Sequence, residues 1–160
     1  MTSLLLIRHS KTEPNSASGR DEDRKLLPRG VRDAEHIAKK VLSGLPRPDV
    51  ILASTAQRVR ETFETIRTTI PGLPEAEFLD ELYLADAGEV WQILFPRLEN
   101  NDRLWVIGHN PGLLALVGIL TGTYPESFPT TGVARIELSA QTSHTGSAKL
   151  TAFHAPRDFR

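Results

Sequence analysis

Leu4-Leu5-Leu6-Ile7-Arg8-His9 and Leu104-Trp105-Val106-Ile107-Gly108-His109-Asn110-Pro111 decide how this chain folds. Each is a continuous apolar run that ends in a histidine. A run without polar alternation suits a strand covered on both faces. In an open α/β sheet the carboxyl ends of such strands line the ligand crevice. A third run, Asp49-Val50-Ile51-Leu52-Ala53, leads into Ser54-Thr55-Ala56-Gln57-Arg58. Three strand ends therefore deliver His9, His109, Arg8 and Arg58 to one edge, a set suited to a phosphoryl group.

Outward from these strands, the chain alternates strand and helix. Residues Lys11 to Lys25 are polar and charged, carry Pro14 and Gly19, and read as a loop. Pro28-Arg29-Gly30 opens a helix to about Leu42, with Val31, Ala34, Ala38 and Val41 at helical spacing. Gly44 and Pro46 end it. Ser54 and Gln57 match a capping box, with the serine as N-cap. Val59, Phe63, Ile66 and Ile70 make the apolar stripe of that helix. Phe78 to Leu82 is a short strand or extended loop, and Asp86 to Leu98 is a helix with Val90, Ile93 and Leu94 facing inward. Asn110-Pro111 suits the N-cap and first position of a further helix. That helix, Leu113 to Leu120, is apolar all round and therefore buried. Val133 to Leu138 and Lys149 to Phe153 form a closing antiparallel pair, with Gly146 in the turn region. The order predicts a single domain over residues 1–160, a three-layer α/β/α sandwich on a mostly parallel sheet.

Composition narrows the function. At 160 residues the chain is long enough for a substantial core. Its formal net charge of -1 supplies no basic field for nucleic acid or an anionic membrane. The chain has no cysteine, which excludes thiolate zinc sites and a cysteine nucleophile. Leu4 to Ile7 is too short for a signal-peptide core, and no apolar run approaches membrane-spanning length. The expectation is a cytoplasmic monomer with no cofactor and no metal.

The chemistry of the strand ends is specific. A neutral imidazole at His9 can attack phosphorus and form a phosphohistidine intermediate. The Arg8 guanidinium can clamp phosphoryl oxygens and neutralise transition-state charge. Arg58 falls in the first turn of its helix, where the macrodipole disfavours a cation by about 0.3–1 kcal/mol. Its position, with Arg60 nearby, calls for a local anion. His109 can donate to a phosphoryl oxygen. Taken singly, each has an ordinary counterpart: a strand-end histidine, a surface arginine, an Arg58 paired with Glu61 or Glu64. His36 on a polar helix face, His144 in a polar loop and His154 at a sheet edge carry no such signal.

Together these motifs resemble the histidine phosphatase superfamily, with the phosphoglycerate mutase-like fold. That family opens on Arg-His-Gly, where this chain has Arg8-His9-Ser10. It continues with Ser-Pro-x-x-Arg-Ala-x-x-Thr, matched here by Ser54, Arg58 and Thr62 in register. Leu27-Pro28-Arg29-Gly30 resembles its Leu-Thr-x-x-Gly helix start. The chain has no room for the long insertions that cap the site in mutases. Its length, His109-Asn110-Pro111-Gly112-Leu113 and Thr130-Thr131-Gly132-Val133-Ala134 are similar to the small SixA-type phosphohistidine phosphatases. The resemblance implies His9 as nucleophile, with Arg8, Arg58 and His109 binding phosphate. It offers Asn15 as a further phosphate contact and Glu81, in Asp80-Glu81-Leu82-Tyr83, as general acid. Ser10 in place of the motif glycine requires a backbone that tolerates a Cβ. The implied substrate is a phosphorylated protein carrying phosphohistidine. A small phosphorylated metabolite, or a phosphoprotein-binding module without turnover, are the alternatives.

Overall fold

The computed structural model describes residues 2–139 and 146–159; His144 lies outside them. Among the described residues the strands are β1 (Thr2–Arg8), β2 (Val50–Ser54), β3 (Ala76–Leu79), β4 (Arg103–Gly108), β5 (Val133–Leu138) and β6 (Lys149–His154). They form one sheet in the order β3-β2-β4-β1-β5-β6. The first four are mutually parallel, and β5 runs antiparallel to both of its neighbours, β1 and β6. The helices are α1 (Pro28–Lys40), α2 (Gln57–Thr69), α3 (Ala87–Leu98) and α4 (Gly112–Thr121).

The apolar strands are continuous because both faces are covered. Leu4, Leu6, Leu52, Leu104 and Val106 join one core with α3 and α4 through Val90, Leu94, Leu113 and Val117. Leu5, Ile7, Ile51, Ala53, Trp105 and Ile107 join the other with α1 and α2 through Ile37, Val59, Phe63 and Ile66. Burying one such side chain contributes about 1.5–3 kcal/mol. The three-layer sandwich expected from the strand–helix alternation is therefore present.

This topology creates the crevice. β1 and β4 are neighbours with Arg8 level with Gly108, so His9 and His109 leave the sheet side by side. The chain then diverges: α1 follows β1 onto one face, and α4 follows β4 onto the other. Adjacent parallel strands whose helices part in this way make the switch point at which α/β proteins bind ligands. Two glycines let backbone close in around it. A Cβ on Gly30 would stand 2.2 Å from the Lys11 carbonyl oxygen, so α1 begins directly against the segment after His9. A Cβ on Gly112 would stand 2.1 Å from the Ala85 carbonyl oxygen, which seats α4 beside the turn before α3.

Local expectations are corrected in four places. Ser54 is not an N-cap; it ends β2, and α2 starts after Ala56 without a side-chain cap. Asn110 is not an N-cap either. Pro111 holds that position, after a cis Asn110-Pro111 bond, and the Asn110 amide donates to the Phe128 carbonyl at 2.8 Å. The capping box belongs to α3, between Asp86 and Glu89. The 11–25 segment is more than a loop. Thr12 bridges to Leu26, and Asp21–Asp23 forms a 3-10 turn.

Candidate active site

The site assembles at the carboxyl ends of β1, β2 and β4. The rings of His9 and His109 lie 5.3 Å apart. Both histidines are buried, and so is Arg58 at 3% exposure. His9 is held by its neighbour: Nδ1 lies 2.8 Å from the Ser10 carbonyl oxygen. A carbonyl only accepts, so Nδ1 carries the proton and Nε2 keeps its lone pair. Burial, reinforced by Arg58 and Arg8 and opposed by that hydrogen bond, lowers the His9 pKa to about 4. The ring is neutral at pH 7, the state a nucleophile needs.

Ser10 fits where the motif glycine would stand. It is fully buried, its N–H donates to Thr62 Oγ1 at 3.0 Å, and its Oγ accepts from Thr131 Oγ1 at 2.7 Å. Thr131 takes a positive φ of 60° and donates its own N–H to the carbonyls of both Arg8 and His9. A threonine in that conformation costs of order 1–3 kcal/mol and persists where surrounding contacts hold it. Here those contacts fix the backbone carrying Arg8, His9 and Ser10.

His109 is set by Ser54. Its Nε2 lies 2.6 Å from Ser54 Oγ, which also accepts the Ala56 N–H at 3.4 Å. We assign the Ser54 hydroxyl proton to this bond, with Nε2 as acceptor, which puts the proton of the neutral ring on Nδ1. That Nδ1 is buried without a partner. Burial first, then the neighbouring His9 and Arg58, lowers the His109 pKa to about 3.

The arginines repeat this arrangement. Arg8 donates through Nη1 to the Phe128 carbonyl at 2.9 Å, and its Nε is buried without a partner. Arg58 donates through Nη1 to the Asp21 carbonyl at 2.9 Å and through Nη2 to Asp21 Oδ2 at 3.0 Å. Its Nε is likewise buried and unpartnered. Desolvation, then the charge of Arg58, lowers the Arg8 pKa. Buried polar groups are nearly always hydrogen-bonded. Three unpartnered nitrogens, Arg8 Nε, Arg58 Nε and His109 Nδ1, beside a neutral imidazole therefore describe an anion pocket, able to hold a phosphoryl group while His9 Nε2 approaches phosphorus.

The structure thus gathers Arg8, His9, Arg58 and His109. It does not bring Asn15 or Glu81 into contact with them: both are exposed and make no hydrogen bond, ion pair or ring contact with the cluster. Two residues that the sequence reading passed over are present instead. Asp21 supplies the anion that the position of Arg58 calls for, in place of Glu61 or Glu64. Tyr83 donates its hydroxyl to Asp21, and its ring stands edge-on to His109 at 5.6 Å. The Tyr83 hydrogen bond, then Arg24 and Arg58, hold the Asp21 carboxyl well below the usual range. The signal for Asp21 was the charge density of the 11–25 segment; none singled it out. Among the described residues no group of three His, Cys, Asp or Glu side chains is arranged to hold a metal. No helix among them is long and apolar enough to cross a membrane.

Comparison with known proteins identifies the family. Residues 4–95 match the model of the histidine phosphatase superfamily (branch 1). An uncharacterised protein of Mycobacterium tuberculosis, Rv1276c, is 33% identical over 164 residues, covering 94% of this chain and 100% of its own. The chain belongs to the histidine phosphatase superfamily. A solved structure of a proposed SixA phosphohistidine phosphatase from Agrobacterium tumefaciens superposes with a TM-score of 0.85 at 29% identity, covering 97% of this chain and 98% of that one. A protein histidine phosphatase SixA complexed with tungstate superposes at 0.87 and 23% identity, covering 99% and 100%. Within the superfamily the chain falls in the SixA-type branch, and its general activity is that of a phosphatase.

Proposed function

We propose that this phosphatase removes phosphate from phosphohistidine on a protein, through a phosphoryl group carried transiently on His9. The observation that carries the reading is the neutral His9, held through Nδ1 with its ring 5.3 Å from that of His109, in a cluster where Arg8 Nε, Arg58 Nε and His109 Nδ1 are buried without protein partners. In the first step the Nε2 lone pair forms a bond to phosphorus as the bond to the substrate imidazole nitrogen breaks. The released imidazole keeps that electron pair and takes up a proton. In the second step water attacks phospho-His9, giving orthophosphate and regenerating the ring. Arg8, Arg58 and His109 neutralise the equatorial oxygens in both steps.

Glu81 is the proposed proton donor to the leaving nitrogen, exposed on the turn that leads to Tyr83. Asn15 is proposed as a lesser phosphate contact. Glu81 donates in its protonated form and is reprotonated from the solvent to which it is exposed. The chain between β3 and α3 is only residues 80–86, too short for a cap. Leu84, directly after Tyr83, is 54% exposed and has a φ of 51°. A short connection that adds no cap, with Leu84 exposed beside Tyr83, suits a phosphorylated protein, which cannot be enclosed, better than a small metabolite. Guanidinium and imidazole N–H groups do the work a cation would do elsewhere, so the reaction is proposed to be metal-independent. The protein is proposed to act as a cytoplasmic monomer.

The test compares a phosphohistidine protein with a panel of sugar and nucleotide phosphates, with and without EDTA. The expected outcome is preferred hydrolysis of phosphohistidine, unchanged by EDTA, with an acid-labile phosphoryl group trapped on His9. Faster hydrolysis of one small phosphate would move the substrate to a metabolite. Loss of activity with EDTA, restored by one divalent ion, would overturn the mechanism. Binding of a phosphoprotein without turnover would leave a recognition module.

A further inference from the structure

We infer that Asp21 is a positioning residue of the phosphoryl pocket, gripping one end of the Arg58 guanidinium so that its Nε edge faces the bound phosphoryl group. The inference rests on the phosphatase reading above. A guanidinium offers five N–H donors in a rigid fork, so fixing one end orients the other. Asp21 takes Nη1 with its backbone carbonyl and Nη2 with its carboxylate, and leaves Nε unpartnered. Arg8 is anchored by the same logic, through Nη1 on the Phe128 carbonyl. The two anchors differ in charge. Arg8 rests on a neutral carbonyl, whereas Arg58, at 3% exposure, is paired with an ionised carboxylate.

Asp21 is itself held firmly enough to serve. Arg24 Nη1 donates to its Oδ1 at 2.9 Å, and Arg24 is tied in turn to the Glu13 carbonyl at 2.9 Å and to Thr12 Oγ1. Tyr83 donates to Oδ2, and its ring lies under the Arg58 guanidinium, 5.8 Å from centroid to Cζ. The segment after β1, the first turn of α2 and the turn before α3 thus meet at one carboxylate. Displacing a positioned group by about 1 Å can cost on the order of 10²-fold in rate.

An opposite role is chemically conceivable: an internal anion that occupies the pocket and competes with phosphate. The bonding favours positioning, because Asp21 engages the terminal nitrogens and leaves Arg58 Nε, Arg8 Nε and His109 Nδ1 unclaimed.

The experiment uses the full chain and four variants: Asp21→Ala, Asp21→Asn, Arg58→Ala and the Asp21→Ala/Arg58→Ala double. Rates with an aryl phosphate and with a phosphohistidine protein are measured beside the affinities for orthophosphate and vanadate. Asp21→Ala is expected to lower kcat/KM by roughly 10- to 100-fold and to weaken vanadate more than orthophosphate. Asp21→Asn, whose amide oxygen can still accept from Nη2, should lie between Asp21→Ala and the parent. On the Arg58→Ala background, Asp21→Ala should cost less than about threefold, because a residue that acts through another has nothing left to act on. Tighter orthophosphate binding with undiminished rate in Asp21→Ala or Asp21→Asn would overturn the proposal and make Asp21 a competing anion. An equal loss on both backgrounds would overturn it too. Should Asp21→Ala not fold, Asp21→Asn and the Asp21→Asn/Arg58→Ala double carry the same comparison. Failure of the phosphatase reading has a separate signature: His9→Ala and Arg58→Ala would both keep parental turnover, whatever Asp21 does.

Discussion

Two helices start beside the crevice, and they start by opposite rules. α3 opens on a complete capping box: Asp86 accepts the Glu89 N–H at 2.8 Å, and the Glu89 side chain accepts the Asp86 N–H. α2 opens on Ala56, with no side-chain cap and with Arg58 in its first turn. The serine that could have capped it is turned onto His109. A capping side chain is typically worth about 1 kcal/mol. A cation in the first turn costs about 0.3–1 kcal/mol more. α3 is built to pack, and α2 is built to present. The local penalty at α2 is offset by its buried stripe of Val59, Phe63 and Ile66 and by the Asp21 carboxylate.

The largest expected effect falls between these helices, at His9. His9→Ala should reduce turnover by about 10³-fold or more while the protein stays folded, read by steady-state rates and circular dichroism. An alanine variant with parental activity would remove the nucleophile from the proposed mechanism, and with it the reason for α2's departures.

The fold and three of the four cluster residues, Arg8, His9 and His109, were legible in the sequence for one physical reason, while Arg58 stood out as a cation in the first turn of α2. The strands are buried on both faces, so they read as apolar runs, and a polar residue at the end of such a run stands out. Register does the rest: Arg8 level with Gly108 makes His9 and His109 neighbours across 100 residues of chain. The supporting groups were not legible in this way. Ser54 had two possible partners, a helix N–H and an imidazole, and local pattern favours the helix. Tertiary contact decided for the imidazole. Asp21 lies in a segment rich in Asp, Glu, Arg and Lys, where composition does not say which carboxylate turns inward. Tyr83 sits one residue past the 3-10 turn Asp80–Leu82, and only the fold places its ring against His109.

Next in size is the contrast between two arginines on α2. Arg58→Ala should cost catalysis about 3–4 kcal/mol, the range for losing a preorganised charge stabiliser. Arg60→Ala should change the rate little, because Arg60 is exposed, donates to the Thr55 carbonyl and lies 4.2 Å over the Phe78 ring. Stability should move the other way for Arg58's partner. Removing Asp21 strands a buried cation, whereas removing Arg58 leaves Asp21 with Arg24 and Tyr83. Thermal midpoints of Asp21→Ala and Arg58→Ala, with the former lower, check this asymmetry. Arg60→Ala proving the more damaging to rate would show that the phosphate-facing turn of α2 is misassigned.

A third effect is the pH dependence of stability. Both histidines titrate near 6.5 when unfolded, but near 4 and near 3 in the folded protein. Between pH 6.5 and 4 the unfolded chain therefore binds more protons, and stability falls as pH falls. The slope reaches about 1.4 kcal/mol per pH unit for each histidine. Asp21, with its folded-state pKa lowered, adds loss only below the ordinary carboxylate range. Urea midpoints from pH 7.5 to 4.5 should decline, and His9→Ala should decline less steeply by about one histidine's share. Equal slopes for parent and variant would mean that His9 is not held neutral by burial.

The smallest effect bears most directly on the two helix starts. Asp86→Ala should lower stability by about 1 kcal/mol, as an N-cap loss does, with kcat unchanged. Ser54→Ala should do the reverse, because its hydroxyl orders the proton on His109 rather than the start of α2. Removing the donor to Nε2 lets the His109 proton move to that nitrogen, which withdraws the Nδ1–H from the pocket. One hydrogen bond to a charged group is worth about 1.5–3 kcal/mol, so the rate should fall by roughly ten- to a hundredfold. The neutral tautomers of the freed ring remain in exchange, which keeps the loss below that of Arg58→Ala. The diagnostic is the ratio of rate loss to stability loss, measured for both variants in one buffer. A Ser54→Ala variant that lost a cap's worth of stability and kept its rate would return Ser54 to α2, and the two helix starts would then obey the same rule.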